Sequence, residues 1–562
     1  MTDPRQLQIS AVSKTANFDV IVIGGGINGI GTFRELAMQG LRVLLVERDD
    51  FCSGCSSALS RMIHGGLRYL ENGEFDLVKE SLRERDSLLR NAPHVVRPLP
   101  TLVPIASVTS GLLNGAMNFF GMESSPRSRG LLSVKLGLTL YDLIARTRRR
   151  LPPHKIVGKA EALRKWPDIT KELRYCAVYH DAWISNPERL GIELVLDGQA
   201  ANPQAIALNY AELQRGEGNS FKLRDLEKGT TIEVTTKVLV VATGAWVDET
   251  LTELAGTEPI SLVAGTKGSH LVLDNPALHS ALRGHMVLYD NIDGRVCIVF
   301  PYLGRVLAGA TDIFVEQASR VKCEDRERDY ILKSLELVFP SVSVSEKDIV
   351  YSFSGIRPLP RSEKGFTGRI TRGHHVHKIE GTVPQFCMIG GKWTTFRAFA
   401  EQTTDAVLHA LGRKRRCSTE NTPIGGGLNF DSDIAARLVT SGLAQTRALR
   451  LVDIYGSRAI EVAAFCGRNS DVTLPGGELT SGEVAFLVQI EMARRLPDIF
   501  QRRQPIAIRG KLNRPLIESA AAEMKRQLGW SAKRTSDEIE SFIEELASYH
   551  GVNIDRSRRS KK

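Results

Sequence analysis

The residues whose types and spacing first point to chemistry form a cluster of glycines after a short apolar run. Residues 18–23 are apolar and β-branched, which is typical of an inner strand, and the chain continues GGGING at residues 24–29. Glycines at 24, 26 and 29 permit a tight turn, close approach of the backbone to a pyrophosphate, and close packing of helix on strand. Glu47 follows the first glycine by 23 residues, where a carboxylate can accept hydrogen bonds from ribose hydroxyls. This spacing predicts a dinucleotide-binding β-α-β unit.

Two later strand-like segments also end in small residues. Residues 237–241 lead into ATG at 242–244, and residues 385–389 lead into a glycine pair at 390–391. The glycine fingerprint does not separate NAD from FAD, but a long cofactor lying across the sheet would reach several strand ends. The glycine pair also opens a predicted helix, whose N-terminus favours negative charge on a reduced flavin ring. We therefore predict FAD as the cofactor.

One long segment is specific enough to carry a family resemblance. It reads CSSALSRMIHGGLRYLE at residues 55–71, and it resembles the signature of the FAD-dependent, quinone-linked glycerol-3-phosphate dehydrogenases. Shorter matches extend this resemblance over most of residues 18–505: KGSH at 267–270, ATD at 310–312, SGIRPL at 354–359, TR at 371–372, GGKWTTFR at 390–397 and YGSR at 455–458.

The resemblance implies that sn-glycerol 3-phosphate is oxidised to dihydroxyacetone phosphate, with electrons passed to a quinone, by a homodimer. Three alternatives stay open. The substrate can be another polyol phosphate such as erythritol phosphate, the reduced flavin can react with oxygen, or the protein can be a flavin-containing sensor of sugar phosphates. No sequence feature identifies the electron acceptor.

The matching motifs contain the side chains that such a reaction needs. Cations bind the phosphate and a base takes the hydroxyl proton. The predicted substrate-binding residues are Arg68, Tyr69, Arg357, Arg372 and Lys392, and the predicted catalytic residues are His270, as the base, with Arg357 and Lys392. A surface salt bridge is the alternative role for each cation, and a structural role is the alternative for His270. The predicted cofactor-binding residues are Gly24, Gly26, Asn28, Gly29, Glu47, Ser56, Ser57, His64, Gly65, Gly66, Thr243, Gly244, Gly390, Gly391 and Lys392.

Several positions depart from the family pattern. Cys55 stands where the family usually has Thr, and Arg61 where it usually has Lys. A motif usually rich in Asp reads SNPERL at residues 185–190, and residues 101–150 are distinctive. Such divergence could accompany a longer polyol phosphate.

The elements that must position these residues are spread over the chain. The predicted fold class is α/β: a discontinuous Rossmann-like FAD-binding domain, an antiparallel-sheet substrate domain and a helical C-terminal domain. The oxidoreductase region is expected at 18–420, with FAD-binding segments at about 18–100, 175–260 and 350–415 and substrate segments at about 101–174 and 261–349. Periodic helical segments predict the C-terminal domain at 421–562.

Composition narrows the class further. The chain has 562 residues, 42% hydrophobic and 25% charged, which is typical of a folded protein with several domains. Its eight cysteines favour the cytoplasm, and Cys52 with Cys55 has no second pair at metal-ligand spacing, so no metal is predicted. The net charge of +10 is compatible with anionic ligands, but no nucleic-acid module is recognisable.

The last sequence feature concerns possible contact of the protein with a membrane surface. Residues 111–150 combine an apolar leucine-rich series with four arginines at 146 and 148–150, without a spanning segment. They can lie at an anionic lipid surface as a peripheral contact, or they can form core-packed helices with a solvated basic end.

Overall fold

The computed structural model describes residues 3–71, 73–108, 130–145, 150–255, 261–361, 373–468 and 471–554. Its strands are β1 (Asn17–Ile23), β2 (Val43–Val46), β3 (Met62–Ile63), β4 (Val96–Ile105), β5 (Lys155–Gly158), β6 (Tyr175–Ile184), β7 (Ile206–Leu208), β8 (Ala211–Arg215), β9 (Ser220–Asp225), β10 (Thr231–Val241), β11 (Val263–Leu273), β12 (Met286–Asp290), β13 (Val296–Tyr302), β14 (Arg305–Gly309), β15 (Ile313–Val315), β16 (Ile349–Pro360), β17 (His374–Ile379) and β18 (Gln385–Gly390). Its helices are α1 (Pro4–Thr15), α2 (Ile27–Met38), α3 (Leu67–Glu71), α4 (Phe75–Asn91), α5 (Leu131–Ala145), α6 (Lys159–Lys165), α7 (Pro187–Ala201), α8 (Val247–Ala255), α9 (Pro276–Leu282), α10 (Asp325–Glu336), α11 (Phe396–Ala410), α12 (Ile434–Thr440), α13 (Gln445–Tyr455), α14 (Ala459–Gly467), α15 (Ser481–Gln489), α16 (Arg514–Leu528) and α17 (Ala532–His550).

The predicted β-α-β unit is the centre of the first sheet, whose strand order is β17-β18-β10-β1-β2-β7. The strands from β18 to β7 are parallel, while β17 and the β8–β9 hairpin are attached in antiparallel fashion. Their apolar runs are buried on both faces, by α2, α7 and α11 on one side and by α1 and α8 on the other. The chain order reverses beside β1, which opens a crevice at the carboxyl ends of β1, β2 and β10.

The second sheet has the order β15-β11-β14-β13-β12-β4-β6-β3, with β16 beside β11 and β5 beside β6. It is antiparallel except where β12 meets β4. Two strands of this sheet, β6 and β16, lie within segments expected to bind FAD, at residues 175–184 and 350–360. β6 pairs along its length with β4, and β16 pairs with β11. Position in the chain does not reveal these partners, because hydrogen bonding between distant segments decides which sheet a strand joins.

The C-terminal part, from α12 to α17, is helical, with one π-helical turn at Asp498–Arg503. Its apolar core continues onto Phe300, Tyr302 and Phe353 of the second sheet. The fold class predicted from the sequence is therefore confirmed as α/β with a helical C-terminal domain. Among the described residues, no helix combines the length and the apolar character that crossing a bilayer requires.

Candidate active site

A cavity of about 640 Å³ opens at the carboxyl ends of the first sheet and is lined by residues of both sheets and of the C-terminal part. Residues that are far apart in the chain therefore meet in one place. Of the residues predicted from the sequence, those that line it are Gly24, Gly26, Asn28, Glu47, Ser56, His64, Tyr69, Thr243, Gly244, Arg357, Gly390, Gly391 and Lys392.

The glycine-rich turn forms one wall. Gly24 has a φ of +103°, in the left-handed region that favours glycine, and a Cβ there would lie 2.6 Å from the carbonyl oxygen of Ala242. α2 then begins after Gly26 without a capping bond from that residue, and the Ile27 N–H donates to Ser56 Oγ at 2.9 Å. The start of α2 thus presents backbone N–H groups and a hydroxyl to the cavity, which is a site for an anion. Gly29 lies behind the wall, where a Cβ would meet the Gly24 carbonyl oxygen at 2.0 Å, so it serves packing.

Glu47 lies where β2 ends. Its carboxylate accepts hydrogen bonds from the Gly25 N–H at 2.6 Å and from the Asp49 N–H at 2.8 Å. Burial raises the pKa of Glu47 to about 7 although both N–H groups favour the ionised form. The carboxylate therefore retains acceptor capacity beside the cavity and becomes fully ionised only above neutral pH.

The opposite wall comes from the end of β18. Gly390 and Gly391 have φ values of +76° and +99°, and a Cβ on Gly391 would lie 3.3 Å from Asn28 Nδ2. Asn28 Oδ1 is buried and has no hydrogen-bond partner among the described residues. An unsatisfied buried acceptor costs free energy, so this atom fits a site completed by a bound group.

Two predicted cations reach the same cavity. Lys392 Nζ donates to Ser81 Oγ and lies 4.3 Å from the centre of the Tyr69 ring. Arg357, on β16, donates to Asp312 Oδ1 at 3.0 Å and to the Thr311 carbonyl at 3.3 Å. The backbone of Arg68 lies in α3, and Arg372 lies outside the described residues.

His270 does not lie where its side chain could contact a substrate in the cavity directly. It is fully buried, stacks on Phe353 with ring centres 5.0 Å apart, and does not line the cavity. Its Nε2 lies 3.0 Å from the hydroxyl oxygen of Ser60, which does line the cavity. Burial, with Arg357 and Arg61 nearby, lowers the pKa of His270 to about 3, so the ring is neutral at physiological pH.

Three other predicted cofactor residues do not line the cavity. The Ser57 hydroxyl donates to the Gly54 carbonyl, and Gly65 and Gly66 form the turn between β3 and α3. The Gly65 N–H faces Tyr141 and Asp181 at 3.2 Å each. These residues shape the segment that carries His64 and Tyr69.

Sequence reasoning missed several residues of the wall. Arg495, Arg502 and Glu545 reach the cavity from the C-terminal part, and Ser60 links it to His270. No sequence motif marks the three C-terminal residues. Ser60, by contrast, lies inside the segment at residues 55–71 that carries the family resemblance, so its role could have been predicted.

Two departures from the family pattern meet in the interior. Arg61 forms two hydrogen bonds to the Glu188 carboxylate, at 2.8 and 2.9 Å, and both side chains are buried. Arg61 also donates to the Ser57 carbonyl at 2.9 Å. The pair fixes the segment before β3 and does not line the cavity.

In the described ranges no group of three or more His, Cys, Asp or Glu side chains is placed to hold a metal ion. Cys52 is buried, which raises the pKa of its thiol well above the usual value. By contrast, the glycine-lined turn, the open start of α2 and the unsatisfied Asn28 oxygen fit a flavin dinucleotide. The fold and the cavity together define an FAD-dependent oxidoreductase.

Comparisons with known proteins agree with this class. Residues 19–406 match the family model described as FAD dependent oxidoreductase, and residues 417–535 match the C-terminal domain of alpha-glycerophosphate oxidase. A glycerol-3-phosphate dehydrogenase of Synechocystis sp. is 33% identical over 553 residues, covering 94% of this chain and 96% of that protein. The D-erythritol 1-phosphate dehydrogenase of Brucella abortus is 31% identical over 503 residues, covering 86% and 93%. The crystal structure of a Bacillus halodurans glycerol-3-phosphate dehydrogenase complexed with FAD superposes with a TM-score of 0.73 at 24% identity over 97% of each chain, which supports the fold.

The chain belongs to the FAD-dependent glycerol-3-phosphate dehydrogenase family. Its cofactor is FAD, as predicted. The family resemblance read from residues 55–71 is confirmed.

Proposed function

We propose that the protein oxidises a phosphorylated polyol, sn-glycerol 3-phosphate first, to its keto phosphate, dihydroxyacetone phosphate. The observation that carries this proposal is the convergence of Arg357 and Lys392 on the cavity that the glycine-rich turn opens. A Lys ammonium and an Arg guanidinium are the groups that bind a phosphate dianion. The named glycerol-3-phosphate dehydrogenases among the relatives support the same substrate class.

Each residue has a distinct task in this proposal. FAD, when bound, supplies the hydride acceptor. Lys392 and Arg357 hold the phosphate and so orient the carbinol carbon, while Tyr69 packs against the Lys392 ammonium. Asp312 keeps the Arg357 fork in place from the other side. Arg68 and Arg372 are proposed as further phosphate ligands.

The proton route follows from the burial of His270. In this proposal the carbinol proton passes to Ser60 Oγ, and the Ser60 proton passes to His270 Nε2 across 3.0 Å. The imidazole is neutral at physiological pH, so its Nε2 can accept this proton. Ser60→Ala should slow anaerobic flavin reduction strongly, whereas Ser60→Thr should restore much of the rate. Equal rates in wild type and Ser60→Ala would contradict this route.

The experiment that tests the function is anaerobic mixing of the yellow holoenzyme with a panel of compounds while the flavin absorbance is followed. Bleaching by glycerol 3-phosphate, with dihydroxyacetone phosphate as product, is expected. Glycerol with inorganic phosphate is the control and should leave the flavin oxidised. If no polyol phosphate bleaches the flavin, the enzyme proposal fails and a sensor of sugar phosphates becomes the better explanation.

A longer polyol phosphate is the second candidate. The relative named D-erythritol 1-phosphate dehydrogenase matches most of this chain at 31% identity. Erythritol 1-phosphate therefore belongs in the same panel. A higher kcat/KM for the four-carbon compound than for glycerol 3-phosphate would assign the protein to this second substrate.

We also propose a quinone as electron acceptor, reached by peripheral contact with a membrane. α5 buries Val134 and Leu138 but exposes 44%, 70% and 60% of Leu132, Leu136 and Leu143 along one face. Exposed leucines beside a basic segment fit an anionic lipid surface. Residues 111–129 and 146–149 of the predicted contact lie outside the described residues.

Flotation with anionic liposomes at low and high salt tests this contact. Binding should weaken in salt and should be lost in a variant with Leu132, Leu136 and Leu143 changed to Ser. Leu449→Ser, at an exposed position on α13 in the C-terminal part, is the control and should still float. If wild type does not float at any ionic strength, a soluble acceptor or oxygen becomes the better proposal.

Sedimentation of the same preparation tests the proposed homodimer.

A further inference from the structure

The backbone N–H of Gly65 is held in the interior by two side chains that belong to neither its strand nor its helix. It lies 3.2 Å from Asp181 Oδ1, on β6, and 3.2 Å from the hydroxyl oxygen of Tyr141, on α5. Tyr141 and Asp181 are buried, with 3% and 1% exposure, and neither lines the cavity. The turn that leads to Tyr69 is thus fixed from behind.

The donors and acceptors in this cluster are determined by its charges. Burial and the Asp181 carboxylate raise the pKa of Tyr141 well above its usual value, so the phenol keeps its proton and donates it to Asp181 at 2.5 Å. Arg85 donates to Asp181 at 3.0 Å and to the Tyr141 oxygen at 3.1 Å. The carboxylate is therefore paired with a cation, as a buried charge requires.

The cluster leaves little freedom to the turn. A Cβ on Gly65 would lie 2.4 Å from the Tyr141 oxygen, and a Cβ on Gly66 would lie 2.0 Å from the Tyr69 ring. The turn is therefore confined between the two tyrosines. On its other side the Tyr69 ring contacts the Lys392 ammonium, whose nitrogen lies 4.3 Å from the ring centre. Contacts thus run without a break from Asp181 to a cation of the substrate site.

We propose that Tyr141 and Asp181 are positioning residues for the phosphate-binding cation: through Gly65 they fix Tyr69, and Tyr69 fixes Lys392. The inference rests on the proposed function, since the phosphate of the polyol is what Lys392 binds. α5, which carries the exposed leucines, contributes one of these two positioning residues, Tyr141.

The test compares two variants of the holoenzyme that each lose one buried phenol oxygen. Tyr141→Phe removes the hydroxyl at Gly65. Tyr289→Phe removes, from β12 of the second sheet, a hydroxyl that shares a 2.9 Å hydrogen bond with Ser334 on α10, and neither residue lines the cavity. Tyr141→Phe should raise the KM for glycerol 3-phosphate about three- to tenfold, the change expected from one lost hydrogen bond. The Kd of the oxidised enzyme for dihydroxyacetone phosphate, read from the flavin difference spectrum, should rise by the same factor.

In Tyr141→Phe the kcat and the FAD content should stay within about twofold of wild type, because the cluster orients a binding group and touches neither reactant. Tyr289→Phe should leave KM, kcat and Kd unchanged. Asp181→Asn should raise KM further than Tyr141→Phe, and adding Tyr141→Phe to it should bring no further rise, since both act through the same turn. Equal KM values in Tyr141→Phe and Tyr289→Phe would overturn the inference, as would a parallel loss of kcat and FAD.

Failure of the proposed function is distinguishable from failure of this inference. If the wild type is not bleached by any polyol phosphate, the function falls, and the visible circular dichroism of bound FAD then decides about the turn. His64 lines the cavity directly before Gly65, so a displaced turn should alter this spectrum in Tyr141→Phe and leave it unchanged in Tyr289→Phe. An unaltered spectrum in Tyr141→Phe would refute the positioning role.

Discussion

Gly26→Val is the most direct test of the cofactor site. Gly26 precedes α2 with φ −74° and ψ 172°, an extended conformation open to any residue, so the substitution causes no backbone strain. A Cβ at this position would lie 3.3 Å from Ser56 Oγ, and the γ-methyl groups of valine would extend into the space beside the start of α2. The variant should therefore fold, but the valine side chain should block the space that the pyrophosphate occupies.

The size of the loss follows from the contacts removed. A hydrogen bond from a backbone N–H to a charged phosphate is worth about 1.5–3 kcal/mol. Displacing the pyrophosphate from two such groups at the start of α2 costs about 3–6 kcal/mol, which corresponds to about 150- to 20,000-fold weaker FAD binding. Gly26→Ala, with a single methyl group, should lose about tenfold, since one contact is weakened.

Titration of apoprotein with FAD, followed by quenching of flavin fluorescence, measures this loss. Gly158→Val is a matched control because Gly158 also precedes a helix, with φ −77° and ψ 167°, and a Cβ there would meet nothing within 4 Å. The control should bind FAD like wild type, and the apoproteins should melt at similar temperatures. If Gly26→Val binds FAD within about threefold of the control, the assignment of this turn to the pyrophosphate is wrong.

Three further outcomes are expected. Because the pKa of Glu47 is raised to about 7 and the ionised carboxylate is the better acceptor for ribose hydroxyls, FAD affinity should level off only above about pH 8 and should fall as the pH drops through 7. Fluorescence titrations should show this slope in wild type, and its persistence in Glu47→Gln would exclude Glu47 as its origin. Lys392→Met should raise the KM for the polyol phosphate about 10- to 150-fold with FAD retained, and Arg357→Ala should act alike in steady-state kinetics. A near-normal KM in both variants would return the two cations to the salt-bridge interpretation. Glu188→Gln leaves the Arg61 charge buried without its counter-ion, so it should destabilise the holoenzyme by about 3–5 kcal/mol in thermal or denaturant unfolding. An unchanged transition would show that Arg61 finds another partner.

The glycines and Glu47 that line the cavity could be predicted from the sequence, because the conformation of each depends on residues that are close in the chain. Gly24 must adopt a positive φ, and Glu47 must end the next strand, so both requirements leave a mark in residue type and spacing. The same holds for the glycine pair at the end of β18. These positions depend on neighbours within one β-α-β unit or one strand end. Interactions over such short sequence separations can be recognised from residue type and spacing.

The rest of the candidate site and of the fold depends on contacts between segments that are distant in the chain. Nothing in the pattern around His270 reveals that Phe353 and Ser60 cover its ring, because β16 and the segment before β3 are supplied from elsewhere in the chain. α1 is a similar case. Its Arg5 donates to the backbone carbonyls of Asn209 and Tyr210, so the helix is held by tertiary contacts that its own sequence does not show.

The departures from the family pattern are best understood together. Arg61 replaces a usual Lys, and Glu188 lies in a segment that is usually rich in Asp, yet the two side chains meet in one bidentate ion pair inside the protein. A guanidinium fork matches a carboxylate in a way that a lysine ammonium does not, so each change suits the other. Neither residue lines the cavity, so their divergence does not change a cavity-lining side chain directly. The pair instead holds the Ser57 carbonyl and with it the segment that carries Ser60, a residue that does line the cavity.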